Sequence, residues 1–426
     1  SLVTVGLSCD KWRDFREALP MTATTPAVHH TRPGLLRARP PGGHGKVTNI
    51  ELFFDLVFVY AVTQLSDTLL HHLDVIGAAQ TLLLFLAVWW VWVFTSWVTN
   101  WLDPERPAVR LLLLVLSLAG LLLSIAVPDA FGQRGLLFAG VYVFMQVGRT
   151  LFMLWALRSG APANLRNFQR IIVWLLISGA LWLLGGSLNG ASRAVLWIVA
   201  LALEYAGPAM AFHVPGMGRS RTTDWDVEGG HLAERCSLFV IIALGESVLV
   251  TGSSFADVAW NGTSVLVFVS AFIGSVAMWW IYFDLAAERG SRSIRQSQDP
   301  GRYARIAYTY LHLLIVAGII VSAVADELTL SHPHAPITLA NAAVLLGGPA
   351  LYLLGNALFK QSVNNTNFPL SHLVGLALLI VLAAMARQFS IVELGIATTI
   401  VLVMVAMWES LSLRSVRQAL AEAGHH

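Results

Sequence analysis

Residues 231–252 read HLAERCSLFVIIALGESVLVTG: one apolar run with a charged entrance (His231, Glu234, Arg235) and a single acid, Glu246, deep inside it. A run of this length and apolarity crosses a bilayer as a helix. Arg235 and Glu246 are eleven residues apart, which at about 3.6 residues per turn puts them on nearly one face. A charge at the centre of a membrane helix costs about 2.5 to 3.5 kcal/mol on insertion scales, so such an acid turns to a bundle interior or a wet cavity. Glu246 follows Gly245, which permits close backbone approach, and precedes Ser247 and Thr251. It reads as facing a polar cavity or a buried partner. Glu234 and Arg235, near the helix start, also read as an interfacial pair.

Working outward, the same kind of run recurs from end to end. Charged residues are 12% of the chain and apolar residues 56%, with mean hydropathy +0.67, far from the composition of a soluble domain. The pattern predicts an all-α membrane protein with about twelve transmembrane helices, divided into residues 48–213, a central loop 214–230 and residues 231–413. Residues 1–47 read as a disordered tail, too charged to span over residues 1–20 and rich in Pro, Gly, His and Arg over residues 22–47, with Met21 the more natural start. Residues 414–426 read as a second tail. The two cysteines, Cys9 and Cys236, form no disulfide framework or metal-ligand spacing. With no P-loop, dinucleotide fingerprint or nucleic-acid arm either, no metal, cofactor or nucleic acid is expected.

Basic residues mark every second connection. Arg106 and Arg110 follow the second run, Arg158 and Arg166 the fourth, Arg219 and Arg221 the sixth, and Arg289, Arg292, Arg295, Arg302 and Arg305 the eighth. Lys360 is assigned to the connection after the tenth. The alternate connections are almost free of positive charge, so both termini are expected to be cytoplasmic. The halves also resemble each other. Trp89-Trp90 corresponds to Trp279-Trp280, Ala119–Ser124 (AGLLLS) to Ala317–Ser322 (AGIIVS), Asn167-Phe168 to Asn367-Phe368, and Glu204 to Glu409. That order predicts two parallel six-helix repeats with a site at their interface.

The remaining charges inside apolar runs are few. Glu51 and Asp55 sit one turn apart on one face, so they repel unless they share a proton, a cation or an arginine. Glu51 also begins its helix, where the helix dipole favours an acid. Arg149 keeps its charge and is expected to need a carboxylate, with Asp55, Glu204 and Glu246 as candidates. Asp284 and Glu409, near helix ends, are expected to reach headgroup water, and His312 reads as a satisfied core histidine. The tryptophans Trp89, Trp90, Trp92, Trp97, Trp101, Trp279 and Trp280 read as interface anchors.

Two blocks carry a resemblance to a known family. Glu51-Leu-Phe-Phe-Asp55-Leu-Val-Phe-Val, running on to Thr63-Gln64-Leu65, and His231-Leu-Ala-Glu234-Arg235 through Leu244-Gly245-Glu246-Ser247 are similar to motifs of the bacterial low temperature requirement protein A family. The resemblance spans roughly Val47 to Leu413 and implies a multi-pass protein of the bacterial inner membrane. It supplies no substrate. The Phe-Phe-Asp opening also resembles the Phe-Ser-Asp opening of a family of tetrameric potassium channels.

The leading functional expectation is a secondary transporter or permease, coupled to a proton or monovalent cation. Glu51, Asp55, Glu204 and Glu246 would form its site, with Arg149, His231, Glu234 and Arg235 as counter-charges and motif residues. The alternatives are a cation channel, a membrane enzyme acting on a lipid-linked substrate, and a structural membrane protein; no catalytic motif favours the enzyme. The lipid bilayer and a small solute are the expected partners, and an oligomer is compatible with the chain.

Overall fold

Long apolar runs punctuated by caps fold, in a computed structural model, into twelve long helices among the described residues: 34–37, 46–158, 162–221, 225, 227–284, 290–291, 293–294, 297, 299–364 and 368–412. From residue 35 onward these belong to one unit, Leu35–His426. The rest of both expected tails, and Arg289, Arg292 and Arg295, lie outside the described residues. The helices are α1 (Asn49–His71), α2 (Val75–Trp101), α3 (Pro107–Ala126), α4 (Gly135–Leu157), α5 (Pro162–Ser187), α6 (Gly190–Ala209), α7 (Gly229–Asp257) and α8 (Gly262–Phe283). They continue as α9 (Gly301–Ser331), α10 (Leu339–Asn364), α11 (Leu370–Met385) and α12 (Ile391–Ser412).

Their starts follow from local sequence. Asp74 caps α2 by accepting from Gly77 N at 2.8 Å, Pro107 occupies the first turn of α3, and Asn261 caps α8 by accepting from Ser264 N at 2.9 Å. Eleven of the helices are long and apolar enough to cross a membrane. The exception is α6, which carries both Arg193 and Glu204 in its short length. Arg193 is buried and donates to Ala130 O, Gly132 O and Leu188 O, tying α6 to the connection before α4.

Neighbour relations repeat along the chain. The first helix packs on the second and third, the third on the fourth, the fourth on the fifth, the fifth on the sixth, and the second on both the fourth and the sixth. The same relations hold among α7 to α12. Between the two sets, α1 and α2 lie against α7 and α9. The start of α9 is π-helical over Ala304–Leu311, which releases carbonyls from the regular ladder. Thr309 O accepts from Trp89 Nε1 at 2.9 Å, and Ala307 O bonds His312 Nδ1 at 2.8 Å. Tyr282 OH meets His312 Nε2 at 2.7 Å, so this histidine is a satisfied core residue.

In α2 the structure corrects the interface-anchor expectation. Trp89, Trp90, Trp92 and Trp101 are buried, and Trp90 stacks on Tyr205 of α6 with ring centroids 3.9 Å apart. Trp279 and Trp280 are 45% and 43% exposed. One Trp-Trp pair fills the contact between α2 and its neighbours while the other faces outward, because α2 is surrounded by helices and α8 is not.

Candidate functional site

The α1 start and the α7 start meet in a buried charge cluster. Thr48-Asn49-Ile50-Glu51 has the spacing of a capping box. Thr48 N and Thr48 Oγ1 both donate to Glu51 Oε2 at 2.9 Å, which turns the acid back along its own helix. Arg37 Nη2 reaches the same oxygen at 2.9 Å. Glu51 Oε1 takes His231 Nε2 at 2.8 Å and Arg235 Nη1 at 3.2 Å. A carboxylate has about four lone-pair sites, so Glu51 is saturated. Fully buried, it anchors the cluster.

Asp55, one turn further, is solved differently. Its Oδ1 accepts from Arg235 Nη2 at 2.5 Å and Trp92 Nε1 at 2.7 Å. Its Oδ2 is buried and has no hydrogen-bond partner among the described residues, and neither has Arg235 Nε. The guanidinium of Arg235 also lies 6.0 Å from the Trp92 ring centroid and donates to Thr99 Oγ1 at 3.3 Å. The repulsion expected between Glu51 and Asp55 is thus resolved by one shared arginine.

His231 is positioned by Asn100. Asn100 Oδ1 accepts from Glu228 N at 2.9 Å and its Nδ2 donates to Glu228 O at 2.8 Å, clipping the end of α2 to the start of α7. Asn100 Nδ2 also lies 3.3 Å from His231 Nδ1. His231 Nε2 meets Glu51 Oε1 at 2.8 Å and Arg37 Nη2 at 3.2 Å, so the ring is held on both edges by the cluster. With His231 neutral, two carboxylates (Glu51, Asp55) face two guanidiniums (Arg37, Arg235), and the cluster is formally balanced. Arg37 enters from the segment before α1: Arg37 N bonds Trp101 O at 2.8 Å, and its Nε donates to Thr99 O and Leu102 O.

Glu246 lies further along the same contact. It is buried and accepts from Thr63 Oγ1, eight residues on from Asp55 along α1, or about 12 Å of rise. Both Arg235 and Glu246 therefore face α1. Glu234 is exposed and accepts from Val47 N at 3.4 Å, at the rim.

Glu204 and Arg149 form a separate centre among α2, α4, α5 and α6. Four neutral donors saturate Glu204: Tyr142 OH (2.5 Å), Gln146 Nε2 (3.2 Å), Ser178 Oγ (2.8 Å) and Trp182 Nε1 (3.0 Å). The expected carboxylate for Arg149 is absent among the described residues. Its guanidinium donates to Val91 O at 3.1 Å, Thr95 Oγ1 at 2.9 Å and Gln146 Oε1, and lies 5.6 Å from the Phe94 ring centroid. Gln146 donates to Glu204 with one end and accepts from Arg149 with the other, so the two charges are linked through an amide.

Two further expectations are corrected. Lys360 lies inside α10 and is buried. It grips both oxygens of Glu409 at 2.6 Å, so Glu409, expected to reach headgroup water, is an ion-pair partner. Asp284 accepts from Ser410 Oγ at 3.0 Å. Arg37 and Asn100 were not anticipated as site residues, while Thr63 was marked only as part of a family motif and Trp92 only as an interface anchor. Only the Thr48-x-x-Glu51 spacing gave a local signal that this end of α1 was specially built. No group of three or more His, Cys, Asp or Glu that could hold a metal occurs among the described residues.

The family model described as bacterial low temperature requirement A protein matches residues 46–407. The chain is also similar to the uncharacterized protein RA0937 of Rhizobium meliloti (strain 1021): 43% identical over 376 residues, covering 87% of this chain and 90% of that protein. No solved structure matches.

Proposed function

The chain belongs to the bacterial low temperature requirement A family, and from that premise we propose that it is a secondary transporter whose movable charge is the Asp55–Arg235 pair. The observation that carries this reading is the unpartnered Oδ2 of Asp55. A purely structural ion pair fully occupies its buried oxygens, as Glu51 does, because an unsatisfied buried acceptor is costly. Asp55 keeps one oxygen open in a cluster whose charges otherwise balance. A proton or a small cation arriving there leaves the cluster with one excess positive charge and loosens Arg235 from α1. Since Arg235 is on α7, that step biases the contact between the two sets of six helices.

Glu51 in this reading is the fixed anchor and Glu246 a second titratable group on the same α1–α7 face. Glu204 stays structural, with all its bonds made by neutral donors. The recurring neighbour relations within α1–α6 and α7–α12 support a parallel duplication, which puts the site at the interface of the repeats. With α6 as the twelfth crossing, both termini lie on the cytoplasmic side of the bacterial inner membrane, where the basic connections also lie.

The test is proton and monovalent-cation flux into liposomes holding the purified chain, compared with Asp55→Asn and Glu246→Gln. Flux that falls with either substitution while folding is retained supports the assignment. Flux in the wild type that both substitutions leave unchanged removes these carboxylates from the mechanism. No flux under any gradient, with folded protein, rejects transport.

A further inference from the structure

A small cavity among α8, α9 and α12 is lined by Ser270, Asp326, Thr329 and Thr399, with Val267, Ala271, Val392, Gly395 and Ile396 completing the wall. No Lys, Arg or His contributes to that wall. Asp326 makes no side-chain hydrogen bond or ion pair among the described residues, although it sits five residues inside the end of α9. Both threonine hydroxyls donate to backbone carbonyls, Thr399 weakly, which leaves the Ser270 hydroxyl as the one donor in the wall. Thr329 Oγ1 donates to Ala325 O at 2.7 Å, and Thr399 Oγ1 donates to Ser270 O at 3.5 Å. What both threonines present to the cavity is therefore lone pairs, beside a carboxylate that can only accept.

We propose that Ser270, Asp326, Thr329 and Thr399 form a binding site for one monovalent alkali cation of about the size of sodium. The hydroxyl of Ser270 brings one donor to this set, and one proton cannot serve a carboxylate and two threonine oxygens together, so a positive charge between them is what satisfies all of them. A proton on Asp326 would supply one donor and satisfy one of the remaining oxygens, whereas a cation is shared by all of them. The cavity volume of ≈ 10 Å³ is about the least that holds a water-sized particle, which suits one dehydrated ion of the size of sodium. All-oxygen ligation selects hard cations, and the lack of His or Cys in the wall disfavours transition metals. A single carboxylate matches a single positive charge; calcium sites gather more anionic oxygens.

This site goes beyond the transport reading and does not need it, because occupancy is measured without flux. The full chain in detergent is melted in sodium, lithium, potassium or choline chloride at equal ionic strength, with sodium-23 line broadening recorded alongside. The expected result is a saturable rise of Tm in sodium over choline, lost in Asp326→Asn. Thr399→Val, which keeps shape and all charges, is expected to raise the half-saturating sodium concentration several-fold, and it decides the matter if Asp326→Asn does not fold. Glu327→Gln, one residue on and outside the cavity wall, is expected to keep the sodium response. Equal Tm in all salts, or a sodium response that survives in Asp326→Asn or in Thr399→Val unchanged, overturns the site and leaves a buried water as its occupant.

Discussion

Charge balance in the α1–α7 cluster makes a quantitative demand on a double-mutant cycle. Arg235→Met leaves Glu51 and Asp55 facing Arg37 alone, a net change to −1. Asp55→Asn leaves the two arginines facing Glu51, a net change to +1. The double substitution restores balance. Removing one partner of a buried pair costs about 3–5 kcal/mol, whereas replacing both by neutral groups of similar volume is often close to neutral. Arg235→Met should sit within that range, since it strands Asp55 and removes a donor from Glu51. Asp55→Asn should cost about 2 kcal/mol, because Arg235 keeps Glu51 and Thr99, and the asparagine can still accept from Trp92. With the double variant near the cost of Asp55→Asn alone, the interaction term comes to about 3 kcal/mol or more, against ~0.5 kcal/mol for independent sites. Unfolding in mixed detergent micelles, followed by tryptophan fluorescence, reads all four corners of the cycle, and Trp92 lies on the pair itself. Costs that add within ~0.5 kcal/mol, or an Arg235→Met cost below ~1 kcal/mol, would refute the shared-arginine account.

The same measurement separates the two Trp-Trp pairs. Trp90→Ala should cost about 3–5 kcal/mol as a buried large-to-small change, while Trp279→Ala, at an exposed position, should stay within ~1 kcal/mol; equal costs would show that α2 is not enclosed as described. Lys360→Met should destabilise by about 3 kcal/mol and Lys360→Met with Glu409→Gln by much less. A double variant no better than the single would return Glu409 to water and Lys360 to a loop.

Hydropathy alone made the helices legible, because a run of some 20 apolar residues has few other uses. Helical spacing also placed Arg235 and Glu246 on one face, and both turn to α1. What spacing does not carry is the identity of the residue across the contact. Arg37 lies in a Pro- and Gly-rich stretch with nothing local to mark it, yet it completes the charge balance from the α2 end. Lys360 was misplaced because a lysine after an apolar run looks like the start of a basic loop; α10 continues to Asn364 and carries it inside.

Arg149 shows why the missing half is a matter of geometry. The rule that a buried guanidinium takes a carboxylate rests on charge alone, and three acids were available to it in the sequence. The guanidinium is a planar fork of five donors, however, and it is stabilised by any set of acceptors in the right places. A carbonyl, a hydroxyl and an amide oxygen supply them here. Gln146 can do this because its amide both donates and accepts. It lends its oxygen to Arg149 and its nitrogen to Glu204, so the two charges sense each other without touching. The same energetic problem, an ionised group inside an apolar bundle, is thus met by saturation with neutral donors at Glu204, by a direct ion pair at Lys360–Glu409 and by one arginine shared between two acids at Glu51 and Asp55. Of these, only the shared arginine leaves a buried carboxylate oxygen of its acids without a partner among the described residues, because one guanidinium divides its donors between two acids where Glu204 and Glu409 each have both oxygens bonded.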